Sequence, residues 1–180
     1  YPSPMNIYYL YSRSFFPEMK KDFQADSAFN YFFSFARKNW LAQRAYIQGM
    51  IALVMFRNGD VQTAKDIVRS LKERAIVNDQ LGMYWKEWNN RGFLWYQAPV
   101  ESQALMIEVF SEITKDENSI SEMKTWLLRN KQTNQWPSTK ATAEAVYALL
   151  LQGKNILQEN KNIKIKLGET PFDSREENQE

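Results

Sequence analysis

Cysteine and histidine are both absent from this chain. Without cysteine there is no disulfide, no thiolate nucleophile and no thiolate metal site. Without histidine the commonest general base, the commonest metal ligand and the physiological pH switch are missing together. Zinc-dependent chemistry loses its main ligands, and neither a metal nor any other cofactor is expected. Six Gly and six Pro in 180 residues are few for an all-β protein, which needs many turns. The 23 basic and 21 acidic side chains nearly balance, and no basic stripe concentrates the excess, so nucleic acid is not an expected partner. No apolar run approaches the ~20 residues of a membrane span, so membrane insertion is not expected. No signal peptide is visible, and because Tyr1 is not an initiator Met the chain is expected to be part of something longer.

What is present is apolar content of 44% and a rich aromatic set of six Trp, nine Tyr and eleven Phe. Seven helical segments follow from periodicity and end signals. The first opens at Ser3-Pro4, with Pro at the first helical position, and carries Ile7, Leu10, Tyr11 and Phe15 before Pro17 stops it. The second begins near Asp26-Ser27 and puts Phe29, Phe33, Ala36 and Trp40 on one face. A third covers residues 41–57 and closes at Asn58-Gly59, a left-handed stop. The fourth starts at Asp60, with Val61, Ala64, Ile67, Val68 and Leu71 on one side and Gln62, Lys65, Asp66, Arg69 and Lys72 on the other. Residues 75–99 form a long aromatic connection, of a length that is often functional. The fifth helix covers 99–114. The sixth opens on a capping box from Ser119 to Glu122 and turns Ile120, Met123 and Leu127 inward. After a polar loop, 131–140, the seventh covers 141–152 and ends at Gly153.

Helices three, five and seven are apolar over much of their circumference, whereas two, four and six have one wet face. The first kind belongs in an inner layer and the second outside, so their alternation reads as stacked α-hairpins. A loose internal repeat agrees. Residues 95–105 echo residues 136–146, with a Trp before the inner helix, and Glu101 and Glu144 stand 43 residues apart. Beyond Gly153, residues 162–168 alternate apolar and polar as a strand does, with no expected partner, and 173–180 are charged. The expected division is a partial helical domain over 1–160 and, over 161–180, a linker and first strand of a following domain.

These residues resemble a known family. Trp126-Leu127-Leu128, the Gln-rich loop with Gln132 and Gln135, Trp136, and then the Thr-Ala-rich helix from Thr139-Lys140-Ala141 to Leu151 look like the α/α-toroid, thioester-type domain of the bacterial alpha-2-macroglobulin family. Val100-Glu101-Ser102-Gln103-Ala104-Leu105 is similar to the inner helix one hairpin earlier. The resemblance implies an all-α fold of stacked hairpins forming part of a toroid, followed by a β-sandwich. It implies a protease-trapping or protease-inhibiting protein of the periplasm, cell surface or extracellular space, with proteases and the adjoining β-sandwich domains as partners. The thioester branch of that family uses a Cys-x-Glu-Gln motif, which a chain without Cys does not carry. The same toroid hosts cyclases with an Asp-Cys-Thr-Ala-Glu motif. Thr142-Ala143-Glu144 matches only its tail, and Lys140 occupies the place of the acid.

Several constellations admit a functional and a packing reading. Met83 to Trp88 and Phe93 to Tyr96 offer a stacking platform for a sugar or peptide, so Trp85, Trp88, Trp95, Tyr96 and Trp136 are the candidate ligand or partner surface. Packing is the preferred reading, since buried rings usually fill gaps. Glu101 and Glu144 make either an acid/base pair or helix N-terminal charges facing the dipole, and the second is preferred. Tyr8, Tyr9 and Tyr11 form either a binding edge or a core stripe. No residue is assigned a catalytic role. The expectation is a non-catalytic scaffold and binding module, the alternative being a piece of a glycosidase- or cyclase-like toroid enzyme acting through Glu87, Glu101 or Glu144. Since a closed toroid takes about six hairpins of roughly 45 residues, the chain alone is expected to self-associate through Met5, Ile7 and Leu10 or through Val146, Leu149 and Leu150, or to fold residues 163–167 over one of these flanks.

Overall fold

The computed structural model describes residues 3–19, 23–89, 98–131, 136–151, 164–167 and 170–173. Among these the architecture is all-α, with seven helices and two short hairpins: α1 (Pro4–Arg13), α2 (Phe23–Asn39), α3 (Ala45–Arg57), α4 (Val61–Glu73), β1 (Ile76–Asn78), β2 (Gly82–Tyr84), α5 (Pro99–Ile113), α6 (Glu117–Arg129), α7 (Thr139–Leu150), β3 (Lys164–Leu167) and β4 (Thr170–Asp173). No helix among the described residues is long and apolar enough to cross a membrane.

The layers follow the expected alternation. α1 packs on α3, α3 on α5 and α5 on α7, while α2 lies against α1 and α3, α4 against α3 and α5, and α6 against α5 and α7. The odd-numbered helices form one continuous row, and each even-numbered helix backs two of them. Every side chain from Ala45 to Met55 in α3 is buried, as is every one from Val100 to Ser111 in α5. An all-round apolar sequence is stable only where neighbours cover all its sides. α4 buries Ala64, Ile67, Val68 and Leu71, one stripe at helical spacing, and leaves Lys65 and Arg69 exposed. Burying Ile67, Val68 and Leu71 contributes about 1.5–3 kcal/mol each, as an upper bound. α7 departs from expectation. It buries Ala141, Ala145 and Ala148 against the row but exposes Val146, Tyr147 and Leu150. It is one-faced because α5 and α6 cover only one of its sides.

Short turns make the hairpins. α3 passes to α4 through Asn58, Gly59 and Asp60, with Gly59 at φ 88° and its amide bonded to the Phe56 carbonyl. Asp60 caps α4 by accepting the Thr63 amide at 3.2 Å. α6 starts earlier than the Ser119–Glu122 box predicts, because Asp116 takes the cap and accepts from the Ser119 amide and hydroxyl at 3.2 and 2.8 Å. α2 begins at Phe23 rather than near Asp26. The expected helix 41–57 is broken: Trp40–Ala42 forms a separate 3-10 turn, and α3 restarts at Ala45. α7 begins at Thr139, capped by Ser138, whose hydroxyl accepts the Ala141 amide at 3.0 Å.

The first half of the 75–99 connection is ordered structure rather than an extended loop. β1 and β2 pair antiparallel with Val77 opposite Met83. Asn78 Oδ1 accepts the Gln80 and Leu81 amides at 2.9 and 3.0 Å and so shapes the turn. Gly82, at φ 80°, lies against α6 so closely that a Cβ there would stand 2.2 Å from the Glu122 carbonyl oxygen. The strand expected near 162–168 exists as β3, but it is not alone. It pairs with β4, Ile165 opposite Phe172.

Candidate functional site

Trp85, Trp88 and Trp136, singled out by the sequence, serve the packing of the layers. Trp85 and Trp88 are 2% and 5% exposed and Trp136 is 5% exposed, so none of the three offers a ring to a ligand. Each indole N–H is spent on a buried acceptor: Trp85 on the Leu71 carbonyl at 2.9 Å, Trp136 on the Leu127 carbonyl at 3.1 Å, Trp88 on Gln103 Oε1 at 2.6 Å. The expected surface of Trp85, Trp88 and Trp136 is thus a set of ties between helix ends and connections. Trp95, Tyr96, Gln132 and Gln135 lie outside the described residues.

Two glutamines organise these ties, and the sequence reading gave neither a role. Gln103, fully buried in α5, accepts from Trp88 and donates through Nε2 to the Met83 carbonyl at 2.7 Å and the Met123 carbonyl at 3.1 Å. Gln48, at the matching place in α3, donates to the carbonyls of Trp40 and Gln43 at 3.1 and 3.0 Å and accepts from Arg74. A buried amide with both ends satisfied fixes connections that have little regular structure of their own.

The acids separate. Glu87 Oε2 accepts the Ala45 amide at 3.1 Å and so caps α3 from the connection that follows β2. Glu101 sits in the first turn of α5, as the capping reading expects, and is 7% exposed. Glu144 does not sit in the first turn of α7. It lies one turn further along and pairs with Lys140 at 3.6 Å.

Glu144 opens into a cleft of about 180 Å³ whose lining, among the described residues, comes from the odd-numbered helices and from Phe15, two residues past the end of α1. Tyr8, Tyr11 and Phe15 come from the α1 end, Tyr46 from α3, Glu108 from α5, and Glu144 and Tyr147 from α7. The cleft therefore lies on the face of the row opposite the backing helices. One end is closed by a charged network. Arg57 donates to Glu108 at 2.7 Å, to both oxygens of Glu112 at 2.6 and 3.0 Å and to the Ser14 hydroxyl at 3.1 Å, with its guanidinium 4.2 Å from the Phe15 ring centroid. Tyr11 donates its hydroxyl to Glu108 at 2.9 Å. This set joins α1, α3 and α5 at one point.

The electrostatics of the cleft are those of partly buried negative charge. Burial, reinforced by Glu101 and Glu108 and opposed by Lys140, holds the Glu144 carboxyl above the usual carboxylate range. Burial also pushes up the hydroxyls of Tyr11, where Glu108 adds to it, and of Tyr46, where Glu144, Tyr8, Glu101 and Glu108 add to it. Tyr147 is raised by burial and then by Glu108 and Glu112. Burial works against the charge of Arg57, but the bonds to Glu112 and Glu108 outweigh it and hold the guanidinium above its ordinary value. Chemically the arrangement is an aromatic-walled recess with carboxylates at its back and rim.

No protein-family model matches this chain, and no curated protein matches it.

Proposed function

We propose that this chain is a non-catalytic scaffold and binding domain, part of an α/α toroid, in an alpha-2-macroglobulin-like protein that traps or inhibits proteases. The observation that carries the reading is the continuous row α1-α3-α5-α7 backed by α2, α4 and α6. A row of this kind is the arc from which a toroid is built. Support also comes from the use of the chemistry-bearing residues. Trp85, Trp88, Trp136, Gln48, Gln103 and Glu87 all bond to backbone or to one another as braces. Its setting is the periplasm, the cell surface or the extracellular space, with a protease and the adjoining domains of the same protein as partners.

Trapping has a kinetic signature. A protease held in a cage still cuts small peptides that diffuse in, but not folded proteins that cannot enter. The test mixes a protease with the full-length protein that contains this domain and follows both substrates. Loss of activity on a folded protein substrate with retention on a short peptide supports the proposal. Equal loss or equal retention on both contradicts it.

A further inference from the structure

The inner cleft has a chemistry of its own, independent of the protease proposal. At about 180 Å³ it lies below the usual 300–1,000 Å³ of sites for drug-sized ligands. It is too small for an oligosaccharide or a nucleotide and matches a single side chain or a short aliphatic chain. Four tyrosines line it, Tyr8 and Tyr11 from α1, Tyr46 from α3 and Tyr147 from α7. The negative face of an aromatic ring attracts a cation and not an anion.

The charges agree. Glu101, Glu108, Glu112 and Glu144 act on the cleft's tyrosines; Arg57 opposes them at Tyr147, and Lys140 acts on Glu144. Arg57 is fully engaged by Glu108, Glu112 and Ser14. Lys140 is held loosely. Its side chain is 54% exposed and its ammonium stands 3.6 Å from Glu144, at a long ion-pair distance on the rim. The chain thus places an ammonium of its own at the mouth of a negative, aromatic recess without filling it. We infer that the cleft receives an organic cation, an ammonium or guanidinium group on a short chain, bound between the tyrosine rings and Glu144, with Lys140 as the resident competitor.

That group ends a lysine or arginine side chain of a peptide, and also a free polyamine. Calorimetric titration of the chain with Nα-acetyl-lysine amide, Nα-acetyl-arginine amide and spermidine distinguishes the sources by which binds tightest. At least one should bind saturably with a dissociation constant of about 1 mM or below. The Nε-acetylated lysine amide, which lacks the charge and is larger by one acetyl group, should bind at least about tenfold more weakly. Lys140→Met should tighten binding several-fold, a gain that damage to the fold does not produce. Glu144→Gln and Tyr147→Ala should each weaken it about tenfold, circular dichroism confirming that both are folded. No saturation by any of the three at about 10 mM overturns the inference. So does equal binding of the charged and acetylated lysines, or a Lys140→Met variant that binds no better than the parent.

Discussion

Replacing Gln103 by leucine isolates the contribution of one buried amide to the whole architecture. The side chain is fully buried and has both ends engaged, accepting from Trp88 and donating to the carbonyls of Met83 and Met123. Leucine is apolar and of comparable bulk, so most of the change falls on hydrogen bonding. Met123 lies inside α6, where its carbonyl keeps a helical partner. The cost therefore falls on the Trp88 N–H and the Met83 carbonyl. Each buried group left unpaired costs about 1–3 kcal/mol, so the loss is about 2–6 kcal/mol. That is a large part of the about 5–15 kcal/mol that holds a domain folded. Urea unfolding followed by circular dichroism measures it as a lower midpoint at unchanged slope. Trp88→Phe removes the donor, so the double variant should be more stable than the sum of the single losses predicts, by about 1 kcal/mol. A Gln103→Leu protein within about 0.5 kcal/mol of the parent would refute the role of Gln103 as a tie.

Three further outcomes are expected. Gly82→Ala puts a Cβ 2.2 Å from the Glu122 carbonyl oxygen at a residue with φ 80°, so it should lower stability by about 2 kcal/mol or more, read from the unfolding midpoint. Arg57→Met strands Glu108, which is 7% exposed, and should cost about 3 kcal/mol, with Glu108→Gln in the same chain restoring part of it. Glu144 binds its proton more tightly in the fold than in the unfolded chain. Its contribution is therefore fully present below the ordinary glutamate pKa of about 4.3 and is lost as pH rises through the raised value. Glu144→Gln should remove that fall, and a stability-against-pH profile identical to the parent's would contradict the assignment.

The helices were legible because their signals are local. Asp60 before an amphipathic stripe, Pro99 before an apolar run and Gly59 after one each act within a turn of themselves, and α4, α5 and the end of α3 fall where these residues place them. Where two local signals compete, sequence does not rank them. Asp116 and Ser119 both suit a cap, and the ion pair of Lys72 with Asp116 at 2.5 Å, made from another helix, accompanies the earlier start. The break before Ala45 was hidden for the same reason, since its cap is Glu87 from a distant connection. The hairpin carries a local signal of its own: Ile76-Val77 and Met83-Tyr84 flank Asn78 and Gly82, the residues that turn the chain. The cleft was the least legible feature. Of its residues Tyr8, Tyr11 and Glu144 stood out singly, while Tyr46, Glu108 and Tyr147 became visible only when four helices came side by side.

Two proposed roles, recognition on the inner face of the helix row and bracing by the tryptophans behind it, can be separated directly. Nuclear magnetic resonance tests both in one titration of the labelled chain with the tightest-binding cation. Shifts centred on Tyr8, Glu144 and Tyr147 are expected. The indole N–H signals of Trp85, Trp88 and Trp136 should stay in place and exchange slowly with solvent, as hydrogen-bonded buried groups do. Shifts centred on those indoles, or their rapid exchange in the free protein with the inner tyrosines unmoved, would contradict these roles.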